Sequence, residues 1–224
     1  MYTIKEIFYT LQGEGAQSGR PAVFCRFTGC NLWTGREDDR ETAVCQFCDT
    51  DFVGVGPDGG RFRTPQDVAD AVAWRWTQGT GQSPAESRAA GARPLVVCTG
   101  GEPLLQLDEA AVEAFHDTGF EVAVETNGSQ LAPAGIDWVC VSPKGNSPLR
   151  LSRGNELKLV FPQVEPEAQP ERFESLGFEH LFLQPMDVAD PALAEAHTRA
   201  AIAYCMAHPR WRLSVQTHKV VGIR

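Results

Sequence analysis

Three cysteines, Cys30, Cys45 and Cys48, have the type and spacing for metal chemistry. They follow an apolar run at 22–28, and the last two frame Cys45-Gln-Phe-Cys48. A [4Fe–4S] cube ordinarily takes four thiolates, so three leave one iron with an open position. An open iron can react, whereas a full shell only relays electrons. C-x-x-C is equally half of a zinc site, and zinc wants a fourth Cys or His nearby. No histidine precedes His116. Spacing alone leaves zinc and iron–sulfur both open.

Four polar sets follow four β-rich runs. Thr99-Gly-Gly-Glu-Pro103 comes directly after a buried run, and Glu125-Thr-Asn-Gly128, Ser142-Pro-Lys144 and Gln184-Pro-Met-Asp187 stand at the ends of later ones. Paired glycines let backbone amides and carbonyls approach a ligand closely. Glu102 adds a carboxylate able to hold an ammonium group. Ligands of α/β folds bind at the C-terminal ends of strands. One such set alone reads as a tight turn; four predict a large polar ligand laid across the mouth of a sheet. Arg26 interrupts an apolar strand and needs an anion, either a ligand carboxylate held bidentately or a structural salt-bridge partner. Both readings stay open.

The elements that position these groups are short. Strand-like runs lie at 22–28, 94–98, 121–126, 138–142, 156–161, 180–184 and 211–216, mostly as near-continuous apolar segments of the buried parallel kind. A helix is predicted over 65–78, opened by Thr64-Pro65 with Val68, Val72 and Trp76 on one face. A second covers 107–118 and ends at Gly119, and an Ala-rich third covers 191–207. Alternating strands and helices predict a parallel α/β sheet, open or closed into a barrel. The stretches 51–60 and 142–156 are too rich in Gly and Pro for helices, so two crossovers are expected to lack them. The polar segment 79–91 is expected to be mobile.

At 224 residues the chain suits one domain, 1–224, with no repeat or boundary. With 20 Lys+Arg against 29 Asp+Glu, the net charge of −9 argues against gripping nucleic acid or an anionic membrane. No apolar run approaches the roughly 18 residues of a membrane span. Lys5 and Glu6 stand where a secretory signal would be apolar, which predicts a cytoplasmic protein. Seven cysteines do not suit a disulfide framework, and clustered thiols in a reducing cytosol are more often metal ligands. Cys25, Cys98, Cys140 and Cys205 read as small buried hydrophobes.

The chain resembles the radical S-adenosylmethionine superfamily, which carries a three-cysteine cluster with an aromatic residue before the last Cys, here Phe47, and a Gly-Gly-Glu after the second strand. Within it, the chain is similar to the 7-carboxy-7-deazaguanine synthase family of the 7-deazapurine (queuosine) pathway. Leu11-Gln-Gly-Glu-Gly15, Arg26, Cys45-Gln-Phe-Cys-Asp-Thr50, Thr99–Pro103, Glu125–Gly128, Ser142-Pro-Lys144 and Ser214-Val-Gln-Thr-His-Lys219 carry that likeness over nearly the full length. The superfamily usually spaces its cysteines C-x3-C-x2-C. Here Asn31 to Val44 separate Cys30 from Cys45, an extension some members of the synthase family share. Its charged middle is expected to be solvated. Cys25 is the rival first ligand, and Cys30, the loop thiol, is preferred.

The resemblance implies an abbreviated, incomplete (β/α) barrel of about six parallel strands with fewer helices than strands. It implies a carbon–nitrogen lyase in which a 5′-deoxyadenosyl radical contracts the ring of 6-carboxy-5,6,7,8-tetrahydropterin to 7-carboxy-7-deazaguanine, releasing ammonia. No protein nucleophile is required. Cys30, Cys45 and Cys48 would bind the [4Fe–4S] cluster, and the Thr50 hydroxyl Mg²⁺, with Asp49 and Asp51 as rival ligands. S-adenosylmethionine would lie against Phe47, Asp49, Gly100, Gly101, Glu102, Thr126, Asn127, Ser142, Pro143, Lys144 and Gln184. The pterin would meet Leu11, Gln12, Gly13, Glu14, Arg26, Thr99, His218 and the terminal carboxylate of Arg224. Gln12 and Glu14 have the donors and acceptors to read its guanine-like edge. A homodimer and a reductase such as a flavodoxin are the implied partners. Two other readings stand beside this one: an activase of glycyl-radical enzymes, which shares Thr-Gly-Gly-Glu-Pro, and a non-enzymatic zinc-binding module.

Overall fold

The computed structural model describes residues 1–224. It opens with an antiparallel hairpin, β1 (Tyr2–Leu11) and β2 (Pro21–Phe27). The register slips between Ile4 and Glu6, so Tyr2, Ile4 and Ile7 all bury on one face although they break strict alternation. That bulge hides β1 from a reading by periodicity. The short β3 (Gly60–Phe62) pairs with the start of β1.

From β2 onward every pairing is parallel: β2, then β4 (Leu95–Gly100), β5 (Glu121–Thr126), β6 (Trp138–Val141), β7 (Arg153–Phe161), β8 (Gly177–Pro185) and β9 (Trp211–Leu213). The sheet order β3-β1-β2-β4-β5-β6-β7-β8-β9 leaves β3 and β9 as edges, so the barrel is incomplete. The parallel part has seven strands rather than about six, because the run at 211–216 joins the sheet as β9.

Helices α1 (Pro65–Thr80), α2 (Pro84–Ala89), α3 (Glu109–Asp117), α4 (Pro191–Ala207) and α5 (Thr217–Val221) are fewer than the strands. Thr64 and Asp67 form a reciprocal capping box around Pro65, and Gly81 at φ +75° ends α1. The segment 79–91, expected to be mobile, instead carries α2. Ser83 and Glu86 cap it, and Trp76 Nε1 donates to Ser87 Oγ at 2.9 Å in the interior. Of the two crossovers expected to lack helices, the one over 142–156 does and the one containing 51–60 does not. The connection from β2 to β4 carries α1 and α2 beyond its Gly-rich loop, whereas those between β5 and β6, β6 and β7, and β7 and β8 hold no α-helix. No helix is long and apolar enough to cross a membrane.

Side-chain alternation along the strands divides two environments. Val23, Cys25 and Phe27, Val96 and Cys98, and Val122 and Val124 face Val68, Val72 and Trp76 of α1 and Val112 and Phe115 of α3. Val141, Leu157, Leu159, Leu181 and Leu183 pack with Ala201 of α4 and Trp211. Each large side chain buried this way contributes about 1.5–3 kcal/mol relative to exposure. On the concave face Ala22, Leu95, Val97 and Ala123, with Phe24 and Trp138, form an apolar floor. Arg26, Thr99, Glu125, Lys158 and Gln184 follow on the same face toward the C-terminal ends and line a cavity there.

Candidate active site

The cavity measures about 430 Å³ and opens at the C-terminal ends of the parallel strands. The loop after β2 forms one rim. Gly29, at φ +83°, turns the chain out of the strand, and its amide donates to the Phe52 carbonyl at 3.3 Å, closing the loop. Within it the charged middle of the insert stays largely exposed, as expected, while Arg40 folds back onto the loop. Arg40 lies 3.9 Å from the Trp33 ring centre and donates to the carbonyls of Gln46 and Cys48 at 3.0 and 3.1 Å. It therefore pins the backbone on both sides of Phe47.

Cys30 and Cys48 are half-buried and Cys45 is buried, and none is in a disulfide. The Cys45 and Cys48 thiols share a hydrogen bond, which with the Thr50 amide and the Lys144 charge brings Cys48 down to about 6 despite burial. Cys30 Sγ accepts from the Leu32 amide at 3.4 Å and feels Cys48 electrostatically. No three His, Cys, Asp or Glu side chains converge as a single-ion cage. A four-iron cube spaces its thiolates more widely than one ion does. Cys25 belongs to the other face of the sheet, beside Cys98 and under α1, where burial pushes its thiol far up.

Gly100 and Gly101 bring β4 against this loop. A Cβ on Gly101 would lie 2.7 Å from Cys30 Cβ and closer still to the Gly29 carbonyl. Gly100, at φ +149°, touches the Phe27 backbone in the same way. Glu102 is the carboxylate of the Thr99–Pro103 set. It is fully buried, away from the cavity lining. Its oxygens accept from Thr126 Oγ1 at 2.7 Å, Asn127 N at 2.8 Å and Leu104 N at 3.0 Å, and burial raises its pKa. It braces the end of β5. Asn127 Nδ2 in turn donates to Asn31 at 3.1 Å, joining that strand end to the cysteine loop. Lys144 bonds Ser142 and stands 5.9 Å from the Phe47 ring centre, both on the cavity wall. Pro143 turns away, into a separate hollow beside Arg172 and Phe173.

The deeper part is held by charge. Lys158 bonds Glu14 and lies 3.3 Å from Glu125. Glu125 also accepts from Gln12 Nε2 at 3.0 Å and Thr99 Oγ1 at 3.4 Å. Glu14 accepts from Gln184 at 3.2 Å and Gln216 at 2.9 Å, so Gln184 is joined to the Gln12–Glu14 segment. Arg26 pairs through Nε with Glu6 at 2.8 Å, the structural salt bridge, while its guanidinium still lines the cavity. Asp49 and Asp51 are paired with Lys219 and Lys5 at 2.8 and 2.7 Å, and the Thr50 hydroxyl lies between them at the rim. Leu11, Gly13, His218 and Arg224 close the remaining side.

No family model matches the chain. Curated relatives do, each along nearly the whole of both chains. It is 58% identical to the 7-carboxy-7-deazaguanine synthase of Caulobacter vibrioides over 99% of this chain and 99% of the relative. It is 60% identical to that of Bordetella pertussis over the same shares. The chain belongs to the 7-carboxy-7-deazaguanine synthase family. Among solved structures, the crystal structure of QueE from Escherichia coli matches at a TM-score of 0.66, with 28% identity over 97% of this chain and 94% of that one.

Against this family background, the cavity adds residues that motif reading passed over. Lys158 is the chief one. It interrupts an apolar strand as Arg26 does, and the signal that singled out Arg26 was present there too. Glu125 opens the Glu125–Gly128 set, and its partners Gln12, Thr99 and Lys158 come from other strands and loops. Asp187 and Gln216 lie in motifs without an assigned partner, and Glu6 carries no local signal, because the partners Lys219, Glu14 and Arg26 come from distant segments.

Proposed function

We propose that this chain is a carbon–nitrogen lyase that converts 6-carboxy-5,6,7,8-tetrahydropterin to 7-carboxy-7-deazaguanine and ammonia, a redox-neutral conversion. One observation carries the reading. The three-cysteine loop lies against the Gly100–Gly101 strand end, at the rim of a cavity whose deeper wall presents Gln12, Glu14, Arg26, Thr99 and Glu125. A cofactor site and a site for a polar heterocycle thus share one space.

The donors fit an iron–sulfur cluster. Three thiols free of disulfides are carried on the one loop at the rim, Cys48 is already acidified, and glycine replaces any side chain that would crowd Cys30. Cys30, Cys45 and Cys48 would hold it. Gly100, Gly101, Thr126, Asn127, Ser142 and Lys144 would line S-adenosylmethionine, with Phe47 beside it. Bound together, the two supply a one-electron cleavage that removes a hydrogen atom from the substrate.

The chain's own groups bind and orient. Arg26 offers its remaining guanidinium donors to the substrate carboxylate, and Gln12 and the two carboxylates face the pterin's donor edge. The C-terminal segment excludes water: the Thr217 amide donates to the Gly13 carbonyl at 2.9 Å, Lys219 joins Asp49 to Asp187, and Arg224 joins Glu6 to Asp58. We place Mg²⁺ at the Thr50 hydroxyl with substrate oxygens completing its shell. The reaction needs a one-electron donor, for which a flavodoxin-type reductase is suited, and a reducing cytoplasm. A homodimer would cover the exposed Ile202, Met206, Val220 and Val221.

The test is anaerobic purification with iron and sulfide analysis, then incubation with reductant, S-adenosylmethionine, Mg²⁺ and the carboxytetrahydropterin. Iron-loaded protein that releases 7-carboxy-7-deazaguanine and ammonia is the expected result. Colourless zinc protein, or cofactor cleavage without any deazapurine, overturns the reading.

A further inference from the structure

Lys158 is 5% exposed and projects from the middle of β7 onto the concave face. Its ammonium has two carboxylate partners, Glu14 from the loop after β1 and Glu125 from the end of β5. Three segments far apart in sequence therefore meet at one cation. Glu156 on its own strand is engaged by the Ala16 amide at 2.7 Å. Cys140 on β6 and His218 on α5 are the other titratable groups facing this cluster.

Two carboxylates against one ammonium leave the cluster one negative charge in excess. Glu14 Oε1 takes amide donors from Gln184 and Gln216, whereas Glu125 Oε2 has only the 3.4 Å contact with Thr99. Lone pairs on this pair remain for a ligand. A pterin presents an exocyclic amino group and ring N–H groups along one edge, a row of donors that wants ionised acceptors. Two neighbouring carboxylates without a cation repel until one takes a proton, which makes it a donor facing donors.

We propose that Lys158 is a positioning residue for the substrate: its ammonium holds Glu14 and Glu125 side by side as charged acceptors, and these take the amino and N–H donors of the pterin. The inference rests on the pterin reading above. The electrostatics agree with it. Burial would push Glu14 up, and the Lys158 charge overrides that to hold it below the usual carboxylate range. Lys158 itself stays charged because Glu125 and Glu14 outweigh its desolvation.

The test uses cluster-loaded protein under anaerobic conditions, with KM and kcat for the carboxytetrahydropterin measured at several pH values. Lys158→Met should raise KM by about a hundredfold, the order seen when one partner of a buried charged pair is removed, with a much smaller loss in kcat. Its KM should also become pH-dependent across roughly pH 6–9, improving as pH rises and the shared proton leaves the carboxylates. The parent KM should be flat there. Lys158→Arg keeps the charge and should keep the flat profile. Lys158→Gln loses the charge but still fills the space, and should follow Lys158→Met, which keeps the test decisive if the methionine variant folds poorly. Neutral variants with KM within about twofold of the parent at every pH would overturn the inference, since a lost buried charge partner cannot be that silent. So would Lys158→Arg behaving like Lys158→Met. A parent protein that makes no deazapurine at all would instead remove the pterin reading on which this rests.

Discussion

Gly13 and His218 touch across the cavity mouth: a Cβ on Gly13 would lie 2.9 Å from the His218 backbone nitrogen and closer still to its ring. The first hairpin and the C-terminal helix, the two ends of the chain, therefore meet at a position only glycine allows. Gly13→Ala should push the tail outward, at about 1–3 kcal/mol for an overpacked site. The expected result is a lowered melting temperature together with a raised substrate KM. Adding His218→Ala should recover part of the melting temperature but not the KM, because the ring that closes the site is then gone.

The cluster ligands are testable against Cys25. Cys30→Ala should lose most of its iron and sulfide on anaerobic purification. Cys25→Ala, on the helix-facing side of β2, should keep its iron and lose some stability through a small cavity. Gly101→Ala should resemble Cys30→Ala in iron content, since its Cβ collides with the cysteine loop. An iron-replete Cys30→Ala would move the first ligand to Cys25.

Glu102 makes a prediction about positioning. Gln in its place keeps one acceptor oxygen but sets an amide NH₂ against the donors from Thr126, Asn127 and Leu104. Leaving a buried donor unpaired costs about 1–3 kcal/mol, so the urea midpoint should fall by that equivalent. Binding of S-adenosylmethionine should weaken with it, because Thr126 and Asn127 line the cavity.

Acid should expose the Glu14–Lys158 pair. The folded pKa of Glu14 is lowered from its ordinary 4.5, so its contribution is present above that value and is lost as pH falls through the folded pKa. The stability difference between the parent and Glu14→Gln, from urea midpoints at a series of pH values, should be level near neutrality and shrink below 4.5. A difference that persists unchanged in acid would mean that packing, not charge, accounts for Glu14.

Parallel strands announce themselves by near-continuous apolar runs, and all seven were legible because each run carries its own apolar face and needs no distant information. Helices α1, α3 and α4 were legible through caps and periodicity. Strand β1 was hidden by its bulge, and α2 by a polar composition whose meaning depends on Trp76 reaching Ser87. The cysteine loop and the strand-end motifs were visible as residue types at fixed offsets, since their function requires particular atoms next to particular backbone turns.

By itself, then, the amino-acid order determined the α/β class, the cysteine set and the rim of the site. The tertiary structure alone decided which charges meet. It paired Arg26 with Glu6, turned Glu102 inward to brace β5, and brought Lys158 between Glu14 and Glu125. The reason is that local structure depends on neighbours along the chain, whereas a buried ion finds its partner through space. A lysine in an apolar strand signals that some anion must come, but which anion depends on how the sheet curves around it.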